Sequence, residues 1–345
     1  MSLDQHRTQL FLCALVGALL FAFLLSMSSG QYDIPMEAVV ASFAHAAGLP
    51  FLPDVVVTPE QEAVLWHIRL PRTLVGMMVG AGLGVSGAVL QGIFSNPLAD
   101  PGIIGVSSGA SVGAVLAIDI GVTAGSVLTL PAFAFTGAIL AVGLTVSLSM
   151  RRGRIPVMTL LLSGVVVGMF LAACTAAILT VMNEQKMQQY LFWTIGGLDY
   201  RRWDHVLLGI GPIGVGMSIM VLLARHLNLL AFGEVEARAA GMPVTAFRLL
   251  FLVLAALTTA SGVCISGNIG FVGLVVPHMV RLLIGPDHRR LLPASLLAGA
   301  VFLVLCDSLG RILLHGMEIR VGIMTAFIGT PYFLYLLRRH MKEGG

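Results

Sequence analysis

The chain has 345 residues, 57% of them hydrophobic and only 11% charged, with a formal net charge of +3 and a mean hydropathy of +0.94. Soluble domains carry about 25% charged residues, so this composition excludes a soluble globular protein and specifies an all-α polytopic membrane protein. The net charge is too small to indicate a nucleic-acid partner, and the distribution of charge says more than its sum.

A membrane-crossing helix needs about 20 mostly apolar residues, fewer when other helices surround it. Ten stretches qualify: Leu10–Ser29, Thr73–Phe94, Ile103–Ala117, Ser126–Met150, Val157–Val181, Val206–Ala224, Leu249–Ser266, Phe271–Ile284, Leu291–Ile312 and Val321–Leu337. The third and eighth are short. The first follows a short charged start, yet it is longer than a usual signal core and is read as a retained span. Between the second and third spans, Pro97 and Pro101 forbid a continuous helix. Gln91, Asn96 and Asp100 can satisfy the backbone groups freed by that break, so they are read as structural. Cys13, Cys174, Cys264 and Cys306 lie in apolar runs with no CxxC pair, as inert thiols do.

The fifth span contains Ser163, Gly164, Gly168, Met169, Ala172 and Thr175. Such small, weakly polar residues suit a wide pathway that does not grip a bulky ligand. They equally suit a close-packing helix. Beyond its outer end, Lys186, Arg201 and Arg202 accompany Trp193 and Tyr200, either as a solvated interfacial loop or as an attractor for an anionic cargo. Between the sixth and seventh spans lies Asn228–Gly241. It reads as a short helix: Gly233 opens it, Glu234 and Glu236 sit in its first turn, Arg238 follows, and Gly241 stops it. This is either a helical surface loop or a docking element for a soluble partner.

Ten spans place both termini on one side, and positive residues assign that side to the cytoplasm. The cytoplasmic loops and span ends then hold 13 of the 20 lysines and arginines. The outer side holds Arg69, Arg72, Lys186, Arg201, Arg202, Arg311 and Arg320, with most of the acids. The Asn228–Gly241 helix falls on the cytoplasmic side. Arg311 also stands one helical turn from Asp307, a spacing that permits a local ion pair.

An internal repeat is visible. Ser86-Gly87-Ala88-Val89-Leu90-Gln91-Gly92 in the second span resembles Ser261-Gly262-Val263-Cys264-Ile265-Ser266-Gly267 in the seventh. Each precedes an apolar stretch interrupted by proline, at Pro97 and Pro101 in one copy and at Pro277 in the other. The copies are an odd number of spans apart, so spans 2–5 and 7–10 form an inverted repeat, as transporter cores do.

At this point the chain resembles the permease subunit of the ABC importers for iron–siderophore complexes, haem and cobalamin (FecCD-type, type II). The resemblance rests on Arg69-Leu-Pro-Arg72, Gly87–Gln91, Asn96-Pro-Leu-Ala-Asp-Pro101 through Gly109-Ala110, Gly233-Glu234 through Ala240-Gly241, and Gly270 through Pro277-His278. Asp287-His288-Arg289 with Leu291-Leu292-Pro293, and Val321-Gly322 through Gly329 to Phe333, continue it. It covers nearly the whole chain in order, as a single permease domain over residues 1–345 with a coupling region at 228–241. One departure is Ile319-Arg320, where the family usually has Leu-Pro.

The resemblance implies a homodimer of ten-span subunits in the lipid of a bacterial inner membrane, with a pathway along the two-fold axis lined largely by the fifth span. It implies two cytoplasmic ATPase subunits and a periplasmic binding protein. The coupling helix would then be Gly233–Gly241, with Glu234, Glu236 and Arg238 as polar contacts. Arg69, Arg72 and Arg311 match positions that meet acidic residues of the binding protein, by charge complementarity. His278 is read as structural; His67 and His315 near the outer face could touch haem iron in transit. The chain has no GxxxxGK[ST] pattern and no nucleophile with a base, so ATP and Mg are expected on the partner ATPase, with no cofactor or metal held here and no covalent chemistry. The expected cargo is an iron chelate, haem ahead of a ferric siderophore, with cobalamin as the alternative. An ion-coupled secondary transporter is the rival of another class, and it would need Asp307 or Asp100 as its coupling acid.

Overall fold

The computed structural model describes residues 3–49, 55–314 and 316–343. Fifteen α-helices follow one another: α1 (Leu3–Ser28), α2 (Met36–Ala46), α3 (Pro59–Ala63), α4 (Leu70–Phe94), α5 (Val106–Asp119), α6 (Thr129–Ser149), α7 (Val157–Val181), α8 (Glu184–Ile195), α9 (Trp203–Leu222), α10 (Ala224–Phe232), α11 (Glu234–Ala239), α12 (Val244–Ser266), α13 (Val272–Ile284), α14 (His288–Ile312) and α15 (Val321–Glu343). Each of the ten predicted spans coincides with one of them. Seven helices are long and apolar enough to cross a membrane, and Val106–Asp119, Val272–Ile284 and Val321–Leu334 are shorter apolar helices.

The second predicted span begins too late. Its helix starts at Pro59, where Thr58 closes a capping box with Gln61, and runs without interruption to Phe94. Pro71 lacks an amide hydrogen and crowds the carbonyl one turn earlier. The chain accommodates it by widening into a π-helical turn over Val64–Arg69, a common remedy for a broken hydrogen-bond ladder. At the other end, Ser95 turns left-handed at φ 47°. The amides of Ser95 and Asn96 then bond back to Gly92 and Gln91, which closes the helix in a Schellman motif. Asp100 accepts the Gly102 amide at 2.7 Å and Asn96 that of Leu98 at 2.9 Å. Pro101 opens a single 3-10 turn to Ile104. Asn96 and Asp100 thus satisfy backbone amides at the break.

α4 is the core. Its best membrane window is 83% buried, against 17% for α7. α14 runs antiparallel beside it so closely that a Cβ on Gly80 would lie 2.2 Å from the Gly299 carbonyl, and the reverse holds for Gly299. Gly109 and Gly137 bring α5 and α6 together in the same way. Small residues permit this approach, which membrane helices use because lipid supplies no hydrophobic drive between them. Gln91 on α4 donates to the Leu274 carbonyl on α13 and accepts from Arg281, so it ties the two interrupted stretches together. Ser107 meets Asn268 at 3.0 Å between the same stretches. α4 begins beside Asp199 through Arg72, where Gly197 also bonds the last residue of α12. α4 and α12 therefore run in opposite directions.

Candidate functional site

Charge sorts to two ends. All ten ion pairs among the described residues join partners from the same predicted side of the membrane.

The unit at the predicted cytoplasmic end is α10 with α11. Gly233, at φ 129°, makes the corner between them, a conformation only glycine adopts freely. Gly241, at φ 80°, follows the end of α11. The predicted short helix is therefore present with the predicted glycine boundaries. Two hooks hold it. On one flank, the Asn228 side chain donates to Asp287 at 2.6 Å and accepts from the His288 amide at 2.8 Å. Asp287 in turn caps α14 through the Arg289 amide. Burial opposes the charged form of Asp287, but its hydrogen bonds from Asn228 and Arg289 outweigh that and bring its pKa down to about 2. On the other flank, one Glu234 oxygen takes Arg238 at 2.6 Å and the other takes Arg248 of α12 at 3.2 Å. Burial again opposes the carboxylate, and the two arginines still hold Glu234 below its ordinary value.

Glu234 and Arg238 pair with each other, Glu234 also reaches inward to Arg248, and both side chains stay partly exposed, at 37% and 39%. Glu236 is exposed, and one of its carboxylate oxygens lies 2.2 Å from where a Gly233 side chain would begin. The tip presents Phe232 and Val235, 77% and 76% exposed, while Ala237 packs inside. An exposed aromatic–aliphatic pair on either side of a helix corner is the anchor type that binding hot spots use. Their apolar character hides them in so hydrophobic a sequence. Arg248, by contrast, carries a signal: it is a lone charge at the head of an apolar span.

At the outer end the three predicted docking arginines are already engaged. Arg69, Arg72 and Arg311 are 4%, 8% and 4% exposed. Arg69 donates to the backbone carbonyls of Met27 and Tyr32. Arg72 grips Asp307 through two nitrogens, the shortest contact being 2.9 Å, and also meets Glu318 at 2.8 Å and Asp199 at 3.3 Å. Arg311 reaches Asp307 at 3.3 Å, the local pair its spacing permits, and bonds Ser26 and Ser29. Arg72 and Arg311 thus rest on the internal carboxylate of Asp307 and Arg69 on backbone carbonyls, so most of their hydrogen-bonding capacity is taken up within the chain. Among the described residues of this face Arg202 is the exposed arginine, paired with Asp204 at 2.7 Å, with Arg320 half-buried over the Phe192 ring at 4.7 Å.

Arg72, Arg201, Arg202 and Arg320 line an outer cavity of about 580 Å³ with Asp199, Glu318 and His67. Burial lowers the Arg201 pKa to about 10. Lys186 is tied to Asp119, and Tyr200 is exposed beside a buried Trp193. His315 lies outside the described residues.

The α7 residues divide between two faces. Gly164 packs on the Ile103 backbone, Gly168 lies near Ser108, and Thr175 is buried. Met169 and Ala172 belong to the exposed stripe, with Leu162, Val165 and Val166; Ser163 is half-buried at its edge.

Among the described residues, an all-helical bundle with seven span-length helices, and a short polar helix held out between two of them, defines a multi-pass membrane protein. The chain belongs to the FecCD transport family, whose profile matches residues 18–339. It is 44% identical to the cobalamin import system permease protein BtuC of Halobacterium salinarum over 89% of this chain and 86% of that one. It is 38% identical to the hemin transport system permease protein HmuU of Yersinia pestis over 81% and 85% of the two chains. A solved inward-facing transporter assigned to the metal-chelate ABC type superposes with a TM-score of 0.84 at 33% identity, covering 95% of this chain and 98% of that one. The chain is thus an ABC importer permease, and membership implies ATPase partners and a substrate-binding protein.

Proposed function

We propose that two copies of this chain form a pathway for a bulky metal-centred macrocycle of the cobalamin or haem class, imported by alternating access. The observation that carries the importer mechanism is the α10–α11 unit, hooked at both flanks and presenting Phe232 and Val235. The partner at that tip is an ATPase subunit, which binds ATP and Mg; this chain converts its closure into movement of the helices. A substrate-binding protein delivers the cargo at the outer end, steered by Arg202 and Arg320 around the charged cavity rather than by the buried arginines. The exposed apolar stripe of α7 supports a second copy across a shared path. In this reading the chain crosses an inner membrane ten times, with the second to fifth and seventh to tenth crossings inverted and both termini in the cytoplasm. Cobalamin and haem transport by relatives of similar identity supports the cargo class, and this replaces an ordering that favours haem.

An ion-coupled transporter is disfavoured on geometry. Asp307 lies between two guanidinium groups, and Asp100 caps a turn outside the span-length helices.

The test is ATP-driven uptake of cobalamin and of haemin into proteoliposomes holding this permease, its ATPase and its binding protein. Uptake of one of them that requires ATP hydrolysis and survives an uncoupler is expected. Uptake driven by an ion gradient without the ATPase would overturn the reading.

A further inference from the structure

Arg248 stands where three elements meet. It lies one turn into α12, and the residue is 6% exposed. Its Nη1 donates to Glu234 of α11 at 3.2 Å and to the Ile155 carbonyl at 2.7 Å. Ile155 is fully buried and stands two residues before the first residue of α7. A tight turn holds α6 and α7 together just there, through paired backbone bonds between Arg151 and Arg154. The Ile155 carbonyl precedes Pro156, which caps α7 and has no amide hydrogen to offer. One guanidinium thus reaches the docking helix, the start of the α7 pathway helix and the body of α12.

The two partners differ in a useful way. The Ile155 carbonyl is backbone and moves only with α7. The Glu234 carboxylate is half-exposed and shared with Arg238, so it moves with α11. A charged hydrogen bond between buried or half-buried groups is stronger than a neutral one and shorter in reach, and Arg is pre-organised to hold two acceptors at a fixed angle. The other hook, Asn228 on Asp287, leads to α14 and the α4 core and does not touch α7.

We propose that Arg248 is the positioning residue that transmits movement of the docking helix α11 to the pathway helix α7. It acts through Glu234 on one side and the Ile155 carbonyl on the other. This rests on α11 being the ATPase-docking element. When the partner displaces α11, the Glu234–Arg248–Ile155 chain moves the head of α7 with it. Without Arg248 the helix still docks, and the movement ends at α11.

The experiment uses the reconstituted permease with its ATPase and binding protein, and reads ATPase association, ATP hydrolysis and cargo uptake separately. Arg248→Met keeps the volume and removes the bonds. It is expected to leave ATPase association within about twofold while the amount of cargo imported per ATP falls about tenfold, within the range for a residue on a coupling path. Arg248→Lys, which keeps one charged donor, is expected to recover part of that ratio. Glu234→Gln is expected to lower it less, and the Glu234→Gln/Arg248→Met double variant to fall no further than Arg248→Met alone. A merely structural residue would lower association, hydrolysis and uptake together, with the thermal midpoint, and that result overturns the proposal. An unchanged ratio in Arg248→Met overturns it as well. Phe232→Ser/Val235→Ser separates the two readings: if that variant still binds the ATPase, the docking assignment itself fails, whatever Arg248 does.

Discussion

At the outer end, Arg72 meets three carboxylates and its side chain is only 10% exposed; at the inner end, Glu234 meets two arginines yet stays 37% exposed. The difference lies in what each end has to do. The outer cluster joins α4, α14 and two loops into one block, and a charge removed from water needs all of its partners. The inner links are few and partly solvated. They hold a helix in a pose without locking it to the core, which suits a part that a partner has to move. The buried Arg72 cluster marks a fixed block, and the half-exposed Glu234 carboxylate marks a part free to move.

The largest effect should come from breaking the outer cluster. Arg72→Ala leaves Asp307 buried with one cation fewer, and a buried pair broken on one side costs roughly 3–5 kcal/mol. The thermal midpoint of the detergent-solubilised permease is expected to drop sharply, with binding-protein stimulation lost as a consequence. Loss of stimulation at an unchanged midpoint would instead restore Arg72 as a docking group and dissolve the contrast. Next comes the tip. Phe232→Ser/Val235→Ser removes two exposed apolar anchors and is expected to weaken ATPase association by at least about 1–2 kcal/mol, with little change in the midpoint, since surface substitutions shift stability by about 0.5 kcal/mol or less.

Asn228→Ala opens the second hook. It removes a hydrogen bond to a charged group, about 1.5–3 kcal/mol in general, and the partial exposure of Asp287 places the loss at the low end. Faster hydrogen exchange in α10, with the α4 amides unchanged, is the expected readout. Uniform acceleration through α4 would show that the inner unit belongs to the core after all.

The smallest effect expected is with pH. Asp287 and Glu234 both have lowered pKa values. Their stabilisation is fully present above their unfolded values and is lost only as pH falls through the folded ones, about 2 for Asp287. ATPase association should therefore be flat from about pH 6 to 8, well above the unperturbed carboxylate range. A step inside that window would place a different titrating group at the working end.

Much of this was legible in the sequence because it depends on local rules. Apolar run length gave the helices, Pro97 and Pro101 the break, and Gly233 and Gly241 the bounds of the short helix α11. Alternation of the spans assigned every observed ion pair to a single side. The spacing of Asp307 and Arg311 announced their pair. What the sequence could not decide was which charges are consumed inside the chain. Arg72 finds Asp307 across 235 positions of sequence, and only the antiparallel packing of α4 on α14 brings them together. The same applies to Gly164 and Met169, neighbours on one helix whose faces are told apart only by what packs against them. Arg248 reaches Ile155 across 93 positions. Periodicity, capping and charge order are properties of nearest neighbours, and the chain carries them openly. Burial and partnership belong to the bundle, because they depend on which helix stands next to which.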